Sequence, residues 1–278
     1  MNVHEQRQVK LRAIVNNAQE NPNVQDFIIR QATGILASLG MNHGHAEKYI
    51  RFLVHGPILD DLTVFEQKVH DFLLERSPVY QSLAEAMGVR ADMVMGKIRN
   101  CLHGDFTTLD LGGGSGEIAN RIRKHTHAPV TIADPLDYGQ RHAEVDFRLI
   151  QGSTIEAEGR EFYQTTVLTV FHHADDVEKL VAEAFRVTKK RVIIIESVTP
   201  DRFSYLYGCW IDWFYNHIIL FQPEVEKKIN VPCNFLPSSG WENLIFKLTG
   251  LHPTISESLG IYQWLNPEHH HLLVYDKK

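Results

Sequence analysis

The run TTLDLGGGSGEIANRIRKHTHAPVTIAD, from Thr107 to Asp134, decides how the rest of the chain reads. Thr107, Thr108 and Leu109 predict a short strand, and Asp110-Leu-Gly-Gly-Gly-Ser-Gly116 predicts a tight turn behind it. The glycines at 112, 114 and 116 let the backbone turn sharply and approach a ligand with no Cβ in the way. Ile118 and Ile122 fall on one face of a following helix, whose first N–H groups and positive dipole end point back at the same place. Val130 to Ala133 predicts a second strand ending on Asp134, and an acid there can accept hydrogen bonds from a ribose diol. Strand, glycine turn, helix and acid-terminated strand describe a nucleotide-type cofactor site on a parallel sheet; a glycine turn without ligand is the plainer alternative.

The choice of cofactor follows from what surrounds the glycines. No Gly-Lys-Ser/Thr comes after them, which excludes a P-loop. Shifted by two residues, Gly114-Ser-Gly116-Glu-Ile-Ala119 fits G-x-G-x-x-G/A with Asp134 at a suitable distance, so a nicotinamide-dependent oxidoreductase stays open. Asp110 weighs against it, because a carboxylate facing the turn repels a pyrophosphate and suits an ammonium or sulfonium group. Asp-x-Gly-x-Gly-x-Gly with an acid-terminated second strand resembles motif I and its partner in the class I S-adenosylmethionine-dependent methyltransferases, and the resemblance runs from about Met95 to the C-terminus. It implies S-adenosyl-L-methionine as cofactor, with Asp110, Gly112, Gly113, Gly114 and Gly116 around its amino-acid part and Asp134 at its ribose. Pro135, Ser153 and Thr169 complete the implied cofactor set. The implied fold is α/β, a seven-stranded, mostly parallel Rossmann-like sheet with helices on both faces. Its seventh strand, His269 to Tyr275, is expected antiparallel beside the fifth. A protein of this fold that holds the cofactor without methylating, or that acts on a protein, is a further alternative.

At 278 residues the chain has room for a large domain and a cap, and 44% hydrophobic with 22% charged residues is ordinary for a globular protein. A net charge of −6 with no basic run argues against a nucleic-acid partner. Cys101, Cys209 and Cys233 are widely spaced and odd in number, which disfavours both a disulfide framework and a zinc site. The polar start has no signal-peptide pattern and no apolar run reaches membrane-spanning length, so the expectation is a cytoplasmic protein without a membrane span.

Residues 1–100 read as a helical cap, and residues 101–278 as the methyltransferase domain with a lid insertion at about 199–237. Val24, Phe27, Ile28, Ala32, Ile35 and Leu36 recur at helical spacing before Gly40. Leu62, Phe65, Val69, Phe72 and Leu73 form a second stripe. Ser77-Pro78 opens a helix that stops at Gly88, and another runs from Ala91 to Leu102. A homodimer through this cap is a second use for it. Beyond Asp134, Val145–Ile150, Thr165–Phe171 and Val192–Ile195 predict strands three to five, and Thr188–Arg191 a turn. Asp175 to Val187 predicts a helix opened by a capping pair, Asp175 and Glu178. Residues 203–221 carry Phe203, Tyr205, Tyr207, Trp210, Trp213, Phe214, Tyr215 and Phe221, too aromatic for a solvated helix. Ser239 to Leu248 is the last helix, followed by a strand over Pro253–Ser258.

Methyl transfer from a sulfonium needs alignment and exclusion of water, and a base where the nucleophile must lose a proton. His172 and His173, which follow the fourth strand, are the catalytic candidates, only one of them expected to face the cleft. A helix-capping histidine is the plainer reading of each. His269 and His271 with Glu268 have the residue types for a metal, but sixteen histidines make chance clusters easy, and no metal is expected. The aromatic stretch and the acidic charge favour a small, largely apolar or aromatic acceptor, methylated on oxygen or carbon.

Overall fold

A computed structural model describes residues 20–55, 79–137, 144–220, 231–265 and 267–278, together with Val9, residues 12–13, 16–18, 66–68, 70–71 and Leu73. The chain divides into two compact units. Met1–Met87, Pro200–Cys233 and Gln263–Pro267 make one; Gly88–Thr199, Asn234–Tyr262 and Glu268–Lys278 make the other.

The second unit is built on a seven-stranded sheet of order β3-β2-β1-β4-β5-β7-β6. Its strands are β1 (Thr108–Leu111), β2 (Val130–Asp134), β3 (Asp146–Leu149), β4 (Phe162–Leu168), β5 (Thr188–Ser197), β6 (Ile255–Gly260) and β7 (His270–Asp276). The first five pair in parallel, while β7 runs antiparallel to both β5 and β6, as the resemblance implied. Alternation along the central strands sends apolar side chains to both faces. On one face Leu109, Leu111, Val167, Val192 and Ile194 pack with Leu180, Val181, Trp241 and Ile245. On the other, Val130, Ile132, Ile193 and Ile195 pack with Val94, Ile98, Ala119 and Ile122. Strand order reverses between β1 and β4, so the crevice at their carboxyl ends is where a parallel sheet of this kind takes a ligand.

Helices flank the sheet, some with ends other than the sequence predicts. The expected break at Gly88 is absent: α3 runs unbroken over Val79–Ile98, following α1 (Pro22–Ser38) and α2 (His43–His55). A mid-helix glycine costs about 1 kcal/mol, and here the Gly88 carbonyl accepts a 3.0 Å bond from Arg121 of α4 (Glu117–Thr126), which ties the two helices together. The expected capping pair is also corrected. Helix α5 is Val177–Val187, and its cap is Asp176, whose carboxylate accepts from the Lys179 N–H at 2.9 Å. Residues 188–191 are no turn but the first part of β5, where Arg191 pairs with Asp276 across to β7 at 2.6 Å. The stretch before the catalytic candidates differs most. Strand β4 ends at Leu168, and Phe171–His173 form a 3-10 turn rather than a strand end.

The other unit is helical in its described residues. Asn21 caps α1, its side-chain oxygen accepting from the N–H groups of Asn23 and Val24 at 3.2 and 3.3 Å. Asp201 and Ser204 form a capping box at the start of α6 (Arg202–Trp213), which continues into a π-helical turn at Phe214–Ile219. Trp210, Trp213 and Phe214 are fully buried in this unit, Trp210 stacking on Phe214 at 5.1 Å. Of the stripe expected at residues 62–73, only Leu73 lies among the described residues, and it is buried. Ser77-Pro78 and Phe221 lie outside them. No helix among the described residues is long and apolar enough to cross a membrane.

Candidate functional site

The turn after β1 is a bare backbone cradle. Gly112, Gly114 and Gly116 have φ of +72°, +54° and +84°, a region that L side chains avoid. The space is closed as well: a Cβ on Gly112 would stand 2.5 Å from a Val170 methyl, and one on Gly113 would stand 2.7 Å from Asp110 Oδ2. The Gly112 N–H donates to the Ala133 carbonyl at 2.7 Å, so the turn is pinned to the end of β2. Gly116 then opens α4, whose free N–H groups face the turn.

Two carboxyls lie under this cradle. Asp134, 5% exposed, accepts from the Gly114 N–H at 3.0 Å and from the Leu136 N–H at 2.9 Å. Burial pushes its pKa up to about 6, against the pull of those two donors. Asp110 lies within β1, one residue earlier than a strand end. Its Oδ1 accepts from the Thr166 hydroxyl at 2.7 Å, while Oδ2 is buried with no partner among the described residues. Burial pushes it up to about 7, Thr166 and Arg90 opposing and Asp134 adding to the rise. An orphaned carboxylate oxygen costs free energy until a donor or cation reaches it. The glycine turn and this oxygen therefore fit the ammonium end of an amino-acid ligand, and Asp134 fits a diol. Pro135 is exposed beside Asp134, and Ser153 spends its hydroxyl on the Asp176 carbonyl at 3.2 Å.

Thr169, just past β4, has φ +62°, an outlier for a β-branched residue that costs about 1–3 kcal/mol. Its N–H and hydroxyl are locked on Ile195 and Leu168 carbonyls, both at 2.6 Å, and Arg90 donates to the hydroxyl at 3.2 Å.

The catalytic candidates sit in the adjoining turn. Glu196, fully buried near the end of β5, accepts from the N–H groups of Val170 and Phe171 through Oε1, at 2.9 and 2.6 Å. Its Oε2 bonds His172 Nδ1 at 2.7 Å. His172 is 1% exposed and stacks against Phe235 at 4.8 Å, with His173 half-buried beside it. Strand alternation does not separate the two histidines, since a 3-10 turn carries them and their rings lie 4.1 Å apart.

The histidine triplet straddles the start of β7. His269 is exposed, His271 bonds Ser256 at 2.8 Å, and Glu268 accepts from Ser197 at 2.6 Å. His270 is fully buried, and burial pushes its pKa down to about 3. Tyr262 packs edge-on against it at 5.0 Å. Three groups were not singled out by sequence: Thr166, Arg90 and Glu196 as the partner of His172. Only Glu196 left a signal, an acid closing a strand of unbroken aliphatics.

Parts of the chain are similar to known proteins. Residues 109–195 match a family model described as a methyltransferase domain. The mitochondrial 2-methoxy-6-polyprenyl-1,4-benzoquinol methylase of Caenorhabditis elegans is 33% identical over 144 residues, covering 45% of this chain. The chain spans about half the length (50%) of that curated relative. Among solved structures, a chain of the Haloferax volcanii complex between the Trm112 methyltransferase activator and a candidate methyltransferase aligns with TM-score 0.52 at 13% identity, over 75% of this chain and 96% of that one. A SAM dependent methyltransferase from Aquifex aeolicus aligns with TM-score 0.45 at 14% identity, over 67% and 88%. The matched segment carries the glycine cradle and strands β2 to β4, so residues 109–195 are the part of the chain that resembles a methyltransferase domain.

Proposed function

We propose that the chain binds S-adenosylmethionine at the carboxyl ends of β1, β2 and β4 and methylates a small, largely apolar or aromatic molecule on oxygen or carbon. The observation that carries the cofactor reading is the orphaned Asp110 Oδ2 under a glycine turn that tolerates no side chain. When bound, the cofactor supplies a methyl group on a positively charged sulfur. Asp110 holds the ammonium of the amino-acid part, Asp134 holds the ribose hydroxyls, and the turn glycines leave room for both. His172 accepts the acceptor's proton, and Glu196 fixes its ring through Nδ1. The acceptor class is supported by the benzoquinol methylase relative.

A second reading has its own support. The His172–Glu196 pair is fully buried and ties down the Phe171–His173 turn, as a purely structural pin would. Kinetics of His172→Gln and His173→Gln with a prenylated benzoquinol and methyl-labelled cofactor separate the two. A base at His172 predicts a fall in kcat of about 10²–10⁴ for the first variant with S-adenosylhomocysteine affinity unchanged. A pin predicts a lowered Tm with kcat preserved in the folded fraction. No labelled product with any acceptor of this class contradicts the small-molecule reading.

A further inference from the structure

The helical unit brings together two cysteines that stand far apart in the sequence. Cys209 lies on α6 and Cys233 in the stretch 231–235, both free thiols, 0% and 4% exposed. The Cys209 thiol lies within hydrogen-bonding reach of the Cys233 thiol. Tyr205, one helical turn before Cys209, reaches the same place. Its hydroxyl donates to the Cys233 carbonyl at 3.3 Å and also meets the Cys209 thiol. An odd number of cysteines disfavours a disulfide framework but leaves room for one pair, and Cys101 is buried in the other unit.

Cys233 has a backbone and a position of its own. Its φ is +59°, in the left-handed region that a residue with a side chain keeps only where its surroundings fix it. It also ends a segment of the helical unit, and Asn234 begins the next segment of the other unit. There Asn234 donates to the Ala174 carbonyl at 2.8 Å, and Phe235 stacks on the His172 ring. A covalent bond at Cys233 would anchor the chain just ahead of the two residues that touch the Phe171–His173 turn and its end.

We propose that Cys209 and Cys233 form an oxidation site, closing to a disulfide by exchange with a small disulfide such as glutathione disulfide and tying α6 to the chain ahead of Phe235. One protein thiol loses its proton and attacks the small disulfide, releasing a first glutathione thiolate that takes up a proton. The second protein thiol then loses its proton and attacks the mixed disulfide, so that the Cys209–Cys233 bond forms and the second glutathione leaves in the same way. Two protein thiols are oxidised while one small disulfide is reduced to two thiols. Burial pushes the Cys209 thiol up, so exchange is slow while the unit stays closed and quickens as it opens. The site does not depend on the S-adenosylmethionine reading.

The test is thiol counting and peptide mapping on the full chain after incubation with glutathione disulfide. It is run with and without urea below the unfolding transition, so that access to the buried thiols does not decide the result. The chain is then unfolded, alkylated and digested without reductant. The count should fall from three thiols to one, with a Cys209–Cys233 linked peptide and Cys101 alkylated. Reductant should restore all three, and Cys101→Ala should give the same linked peptide. Three free thiols under both conditions overturn the assignment. So do glutathione adducts on Cys209 or Cys233 that never resolve into the linked peptide, or a linked peptide that contains Cys101.

Discussion

The two halves of the crevice are built by opposite means. At the ends of β1 and β2 the backbone does the shaping: positive-φ glycines, N–H groups and a turn that no Cβ can enter. At the ends of β4 and β5 side chains do it. Glu196 gathers two N–H groups and a histidine, Thr169 is bent into an unfavourable conformation, and Phe235 covers the His172 ring. A backbone site fits any ligand of the right outline and charge, and a side-chain site fixes one group in one orientation. On the proposed reading the first half holds the cofactor and the second handles a proton.

The largest effect should come from the side-chain half. Glu196→Ala removes the acceptor of two N–H groups and the partner of His172 Nδ1 in the interior, and breaking a buried pair in this way costs about 3–5 kcal/mol. Urea unfolding should show that loss, and a loss below about 1 kcal/mol would mean water reaches the pair easily. Next comes the backbone half, where the acids matter to ligand more than to fold. Asp134→Ala should weaken S-adenosylhomocysteine by about 1.5–3 kcal/mol, read by calorimetry.

Asp110 separates the halves by pH. Its folded pKa, pushed up to about 7, lies above the unfolded value near 3.8. The unliganded fold therefore loses stability on its account as pH rises from about 4 to about 7 and no further above that. Cofactor affinity runs the other way, since the ionised form meets the ammonium. It should rise up to about tenfold per unit toward pH 7 and then level. Asp110→Asn should remove both trends, and an unchanged affinity profile in that variant would assign the titration elsewhere. Smallest of all, Lys247→Ala breaks an ion pair with Glu178 whose side chains are 67% and 56% exposed, and should cost less than about 1 kcal/mol in the same urea experiment.

The same contrast explains what could be read from the sequence. Glycine at 112, 114 and 116 announces a special backbone by its own chemistry, and Asp134 follows within one strand–helix–strand unit. The seven-stranded, mostly parallel sheet and the antiparallel β7 beside β5 came with the resemblance. Glu196 and His172 are 24 residues apart and meet only because β4 and β5 pair. Arg90 reaches Thr169 across 79 residues, and no local pattern marks such a meeting. The ends of elements differ from the sequence expectation where tertiary bonds override propensity: Arg121 bonds the Gly88 carbonyl of an unbroken α3, and pairing with Phe162 of β4 at Thr188 and with Asp276 of β7 at Arg191 extends β5 backward. Thr169 was named from the resemblance, but its backbone conformation is not encoded in any short-range signal.

On the proposed reading the orphaned Asp110 and the glycine cradle take a cationic amino-acid cofactor and not a pyrophosphate. Calorimetry of the full chain with S-adenosylhomocysteine and with NADH, at one pH near 8, tests it most directly. The expected result is saturable binding of S-adenosylhomocysteine that Asp110→Asn weakens, and no measurable heat with NADH. Tight NADH binding with no response to S-adenosylhomocysteine would contradict it.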